Sequence, residues 1–295
     1  MSDSVASLRH KIDNAEDLES VVRTMKAIAA SSIVQYENAV RSLDDYYQTV
    51  QLGLAACFRE DKLMGVSPPL KQHKQTAVAA IVFGSDQGLV GQFNEVMVEY
   101  AVDTLEKLPG EKIVWPVGVR IQSRLADTHL STMTGFPLPN SINAIAPLVG
   151  QILIELEARL KQGVIEQVYL FHNHPVTGSI YTPESQQLLP LDAAWRHNLA
   201  AIRWPTQNLP EVMQHRERTL RALVREYLFV SLFRACAESL AGENASRLAA
   251  MQRAEKNIDE LQEGLNQTFH RLRQSGIDEE LFDVISGFEA LNTDK

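Results

Sequence analysis

From about Ser4 to about Phe58 the apolar residues recur at alternating spacings of three and four, and no other feature of the chain restricts its fold as strongly. The register runs Val5, Leu8, Ile12, Ala15, Val22, Ala29, Ile33, Tyr36, Val40, Leu43, Tyr47, Val50, Leu54 and Cys57, interrupted at Glu19 and Lys26. Leu18 and Met25, one position earlier in each case, are expected to fill those two gaps. The stretch has no proline and Gly53 is its only glycine. A continuous helix of about 80 Å is therefore expected at ~1.5 Å per residue. A helix that long, with a seam repeating every ~3.5 residues, needs a partner along most of its length.

The partner is expected at the other end of the chain. Asn208-Leu209-Pro210 is a helix-entry signal with proline near the first turn, and no proline follows it. The apolar series after it includes Met213, Leu220, Leu223, Tyr227, Val230, Ala237, Ala241, Leu248, Met251, Ile258, Leu265, Phe269, Leu272, Ile277, Leu281 and Phe288. Gly242, Gly264 and Gly276 are expected to curve or briefly break this helix, at a cost of ~1 kcal/mol each relative to alanine. Two long terminal helices with matching seams pair antiparallel, which makes the middle of the chain an insertion.

That middle, from about 75 to 204, has a different texture. Thr76-Ala77-Val78-Ala79-Ala80-Ile81-Val82-Phe83 is an apolar run without alternation, which suits a strand buried on both faces. Helical stretches near 92–108, 119–127 and 142–162 alternate with strands at Lys112 to Val117, Val164 to His172 and Ser179 to Leu191. Alternation of this kind implies a mostly parallel sheet with helices on its faces. The expected fold class is α/β: a long antiparallel coiled coil of N- and C-terminal helices carrying an inserted Rossmann-like α/β domain, divided as 1–58, 75–204 and 208–295.

Charge and cysteine usage narrow the function. A net charge of -9 argues against a nucleic-acid partner, which would need a basic surface to neutralise phosphates. Cys57 and Cys236 lie far apart in apolar, helix-like stretches, so a disulfide framework or thiolate metal site is not expected. No apolar run reaches the ~18 to 20 residues needed to cross a bilayer, and the N-terminal residues lack the pattern of an export signal.

Little in the sequence suggests catalysis. Gly84-Ser85-Asp86-Gln87-Gly88-Leu89-Val90-Gly91 follows a strand and opens a helix, where a phosphate-cradling loop would sit. Its glycine spacing does not fit Gly-x-Gly-x-x-Gly, and the next strand, ending near Val117-Gly118, lacks the acidic residue that holds a ribose. A tight strand-to-helix turn is the preferred reading. His172-Asn173-His174 resembles two metal ligands, yet a site needs three or four donors, and the nearest acid in sequence is Glu184. A solvated loop pair is therefore expected, with no metal and no cofactor. A dinucleotide-binding protein and a generic coiled-coil scaffold remain as alternatives. The basic residues Arg9, Lys11, Arg23, Lys26, Arg253, Lys256, Arg271 and Arg273 on the terminal helices read equally as a solvated face or as contacts to an acidic collar.

Several segments carry a family resemblance. These are Arg9-His10-Lys11-Ile12, Val22 to Ser31, Ser85-Asp86-Gln87-Gly88-Leu89-Val90-Gly91-Gln92-Phe93-Asn94, Glu243 to Met251, Asn257, Arg273-Gln274, and Ile277 to Leu281 followed by Ile285-Ser286-Gly287. In order and in layout the chain resembles the gamma subunit of F-type ATP synthases. The resemblance implies a non-catalytic central-stalk rotor that couples ion flow through a c ring to the conformational cycle of catalytic beta subunits. Implied partners are three alpha and three beta subunits, the epsilon subunit and the c ring, with no nucleic acid and only indirect membrane association. The tip near Leu281 to Leu291 would turn in an apolar bearing, and the implied location is the cytoplasmic face of a bacterial inner membrane. Met25, Arg273 and Gln274 match family positions that contact beta subunits, with Arg9, Lys11, Arg23 and Lys26 as further coupling candidates. Ser32, Phe269, His270 and Asp278 depart from the family pattern, which suggests a divergent bacterial or alternate form.

Overall fold

The computed structural model describes residues 4–64, 77–176, 179–191, 195, 198–199, 201–202, 204–208, 210–212 and 216–293, with only the backbone of 60–64, 179 and 287–293. Helix α1 is Val5–Met64, followed by β1 (Ala77–Phe83), α2 (Phe93–Glu106), β2 (Lys112–Val117), α3 (Val119–Ala126) and β3 (Ser131–Thr132). A short 3-10 turn, Ile142–Ala144, then leads into α4 (Ile145–Lys161), β4 (Ile165–Val176), β5 (Ser179–Leu189) and α5 (Arg216–Thr293). The glycines at 242, 264 and 276 do not interrupt α5. Its described part begins at Arg216, Glu211 and Val212 are not helical, and the seam residue Met213 lies outside the described residues.

The chain forms two compact units, Met1–Ala29 with Leu248–Lys295, and Ala30–Arg247. In the first, Leu8, Ala15, Val22 and Ala29 of α1 are buried, one every seven residues. On α5, Met251 is buried, and Ile258, Leu265 and Leu272 are half-buried at the same interval. A seven-residue repeat of this kind keeps one stripe of each helix facing its neighbour. The breaks at Glu19 and Lys26 are filled differently from expectation. Leu18 is exposed and Met25 half-buried, while the seam positions keep their polar residues and match them across the pair. Lys26 Nζ donates to Glu255 Oε2 at 2.6 Å, and Gln262 Nε2 donates to Glu19 Oε2 at 3.1 Å. Seven residues back on α1 corresponds to seven residues forward on α5, which fixes an antiparallel register. Apolar seam residues would tolerate a slip, whereas a misplaced half-buried lysine or glutamate would lose its partner.

In the second unit a five-stranded sheet has the order β3-β2-β1-β4-β5. The pairs β3–β2, β2–β1 and β1–β4 are parallel, and β5 runs antiparallel to β4 at the edge. The strand β1 is buried along its whole length, and its residues divide by parity between two cores. Val78, Ala80 and Val82 face Met97, Leu105, Ile121 and Leu125 of α2 and α3. Ala79, Ile81 and Phe83 face the opposite layer, built from Val149, Ile152 and Leu156 of α4, Leu54 of α1, and Tyr227, Leu232 and Ala237 of α5. Helices on both faces explain why β1 shows no polar alternation. Cys57 and Cys236 are buried, and neither is in a disulfide.

Candidate functional site

In the first unit, the surface left outside the helix seam is the candidate site. Continuing the register set by Lys26–Glu255 and Glu19–Gln262 brings Leu8, the first buried residue of α1, opposite α5 near 273 and the start of α1 at Val5 opposite 276. Leu272 is the last half-buried residue of α5 among the described side chains, and residues 273–286 are all exposed. The sequence does not become polar there. Ile277, Leu281, Phe282, Val284 and Ile285 are exposed, with Phe282 at 68% and Val284 at 71%. Leu18, Val21 and Ile28 of α1 are exposed as well, beside half-buried Met25. Single exposed apolar side chains are ordinary, but a run of large ones along one helix end marks a contact surface.

The sequence-derived candidates fall into two sets. Arg9, Lys11, Arg273 and Gln274 are exposed, Arg273 without an ion pair among the described residues. Arg23 and Lys26 are held within the helix pair. Arg23 pairs with Glu19 one turn back, and its Nε lies 3.6 Å from Glu255 Oε1, while Lys26 pairs with Glu255 Oε2. The hydrogen bond from Lys26 holds the Glu255 carboxyl below the usual carboxylate range. Much of the charge on Arg23 and Lys26 is thus answered internally, whereas the guanidinium of Arg273 is exposed.

In the second unit the glycine loop is a structural joint. A Cβ on Gly84 would sit 2.3 Å from Ile121 Cβ, so only glycine lets α3 pack this close to the end of β1. Asn94 closes the loop on itself, accepting from Ser85 N at 2.9 Å and donating to Ser85 Oγ at 2.8 Å. Asp86 accepts from Val119 N at 2.8 Å and from Leu138 N at 3.1 Å. Its carboxylate therefore caps the N-terminus of α3 and ties the loop to that helix. The far motif on α5 meets the same joint. Ser246 Oγ donates to Val90 O at 2.5 Å, and a Cβ on Gly242 would meet Asn173 O at 3.3 Å. Two segments separated by about 150 residues in sequence thus hold one junction.

The histidine pair departs from expectation. His172 and His174 lie within β4, not in a solvated loop, and His172 is buried. Two residues apart on a strand, they point to the same face. Glu238 of α5 stands over that face, with Oε2 2.8 Å from His172 Nε2 and 3.0 Å from His174 Nδ1. Arg234 Nε donates to Glu238 Oε1 at 2.8 Å and Arg234 NH1 to Asp44 Oδ1 at 3.2 Å. Burial raises the Glu238 carboxyl, but the hydrogen bonds from His172, Arg234 and His174 outweigh it and bring the group down to about 2. No sequence spacing could have added Glu238 to this pair, because only the packing of α5 on the sheet does so.

Comparison with known proteins agrees with this geometry. A family model described as ATP synthase matches residues 4–291. Among the similar relatives is the ATP synthase gamma chain of Granulibacter bethesdensis, 28% identical over 98% of this chain and 99% of that protein. The ATP synthase gamma chain of a Cyanothece strain is 27% identical over 98% of this chain and 99% of its own length. Among solved structures, the rotor of the Euglena gracilis mitochondrial ATP synthase aligns with 92% of this chain and 98% of its own at a TM-score of 0.61 and 14% identity. The central stalk and c-ring structure from Tetrahymena thermophila covers 79% of this chain and 99% of the matched one, at a TM-score of 0.55 and 22% identity. These define a fold of the central-stalk class. The chain belongs to the ATP synthase gamma-chain family.

Proposed function

We propose that this chain is the central rotor of an F-type ATP synthase, a non-catalytic subunit that couples ion flow through a c ring to the conformational cycle of the catalytic beta subunits. The terminal helices wind as an antiparallel coiled coil and turn in the bore of a hexamer of three alpha and three beta subunits. The inserted α/β domain, Rossmann-like and assigned to 75–204 between helical segments 1–58 and 208–295, meets the epsilon subunit and the c ring. The chain acts at the cytoplasmic face of a bacterial inner membrane and reaches the membrane through the c ring. Among the described residues no helix is long and apolar enough to cross a bilayer.

One observation supports this reading above the others: the apolar end of α5 from Ile277 to Ile285, exposed where α1 no longer accompanies it. Such a surface needs a sleeve, and a ring of subunits around a helix end is one. Met25, Arg273 and Gln274 make the coupling contacts, with Arg9, Lys11, Arg23 and Lys26 in support. Guanidinium groups suit this work because they form paired hydrogen bonds to carboxylates and carbonyls that differ between subunit states. Force transmission is then a difference in contact free energy between those states. A cofactor-binding reading is disfavoured because the polar side chains of the glycine loop turn inward, Asn94 bonding Ser85 and Asp86 capping α3. Co-expression with the alpha and beta subunits of the same organism tests the proposal. A stoichiometric complex whose ATPase turnover depends on this chain is expected; assembly and full turnover without it would refute the assignment.

A further inference from the structure

The cluster on β4 and α5 has a donor set with a chemistry of its own. His172 Nε2, His174 Nδ1 and a carboxylate oxygen of Glu238 all lie within 4.8 Å of one another. In a tetrahedral zinc site, metal–ligand bonds of about 2.0 to 2.2 Å place donor atoms about 3.3 Å apart. The observed 2.8 and 3.0 Å separations open by a few tenths of an ångström to admit an ion, and the histidine donors, within 4.8 Å of one another, settle to the same spacing. Glu184, paired with His172 across β4 and β5, brings its Oε2 to 4.0 Å from His174 Nδ1. It stands beside a cavity of about 420 Å³ that both histidines and Glu238 line. Arg234 grips the other oxygen of Glu238 and so fixes the direction of the ligating one. Nε2 of His172 faces Glu238, and its Nδ1 is buried without a hydrogen-bond partner among the described residues, leaving a position for the ring proton when Nε2 turns to a metal.

We propose that His172, His174 and Glu238, with Glu184 as fourth donor, bind one first-row divalent cation of the zinc class. Two imidazoles and carboxylate oxygens favour zinc and its neighbours over magnesium or calcium, which take all-oxygen shells. The ion replaces the two hydrogen bonds to Glu238 Oε2 with coordinate bonds and ties α5 to β4 and the edge strand β5. This site stands apart from the rotary assignment, and neither depends on the other.

The test uses the full chain stripped with a chelator and titrated with Zn2+ against a chromophoric competitor, then with Co2+ to read the ligand field. Expected are one bound equivalent, a higher thermal midpoint with zinc than with chelator, and an intense tetrahedral Co2+ spectrum. His174→Ala, at a half-exposed position, should weaken zinc binding by roughly 10- to 100-fold or more and abolish the zinc-dependent midpoint shift. Glu184→Gln should weaken binding less and move the Co2+ spectrum. Absence of a stoichiometric equivalent, or equal affinity in the wild type and a folded His174→Ala variant, would overturn the site.

Discussion

Arg273 and Arg23 look alike in sequence and differ in the structure. Arg23 is shared between Glu19 and Glu255, whereas Arg273 stands exposed beyond the last half-buried seam residue. Arg273→Ala should therefore leave the thermal midpoint of the isolated chain unchanged while lowering ATPase turnover or ion pumping of the assembled complex several-fold. Unchanged rates and unchanged pumping would count against its coupling role. Glu255 offers a pH test. Its carboxyl is lowered in the folded chain, so the stabilisation it gives is complete above the unfolded value of about 4.3 and fades as pH falls through the folded value. The stability difference between wild type and Glu255→Gln should shrink on acidification below that range, as followed by urea unfolding at a series of pH values. A difference that stays constant with pH would show that Glu255 stabilises the pair by something other than its charge.

At the scale of elements, much was legible and the omissions have physical causes. The terminal helices could be read from period alone, and β2 falls on the expected Lys112–Val117 because a buried strand is a compact apolar run. The strand β3 has two residues, too few to carry a period, and the antiparallel direction of β5 is set by pairing partners that sequence does not print. Glu19 and Lys26 look like flaws in a seam until Gln262 and Glu255 are found opposite them, more than two hundred residues away. The histidine pair was visible as residues, but its third member was not. The joint at the end of β1 provides a test here. Asp86→Ala leaves two backbone N–H groups without their acceptor and should cost about 1 to 2 kcal/mol in denaturant unfolding, with Asp86→Asn costing less. No measurable loss for Asp86→Ala would mean that water replaces the carboxylate fully.

For the whole molecule, the account separates what the chain needs to fold from what it needs to work. Residues beyond Ser275 make no buried contacts among the described side chains, so a chain ending at Ser275 should unfold within about 0.5 kcal/mol of the full-length protein. The same truncation should weaken coupling in the assembled complex, because it removes the exposed apolar surface from Ile277 to Ile285. A large loss of stability in the truncated chain would place those residues in the fold instead. The central claim is rotation itself. Lys161 on α4 has an exposed side chain, and the two native cysteines are buried, so Lys161→Cys accepts a single optical probe. With the alpha and beta subunits fixed to a surface and ATP supplied, the probe should turn in one direction in three steps per revolution, one for each beta subunit. A complex that hydrolyses ATP while the probe on this chain stands still would contradict the account.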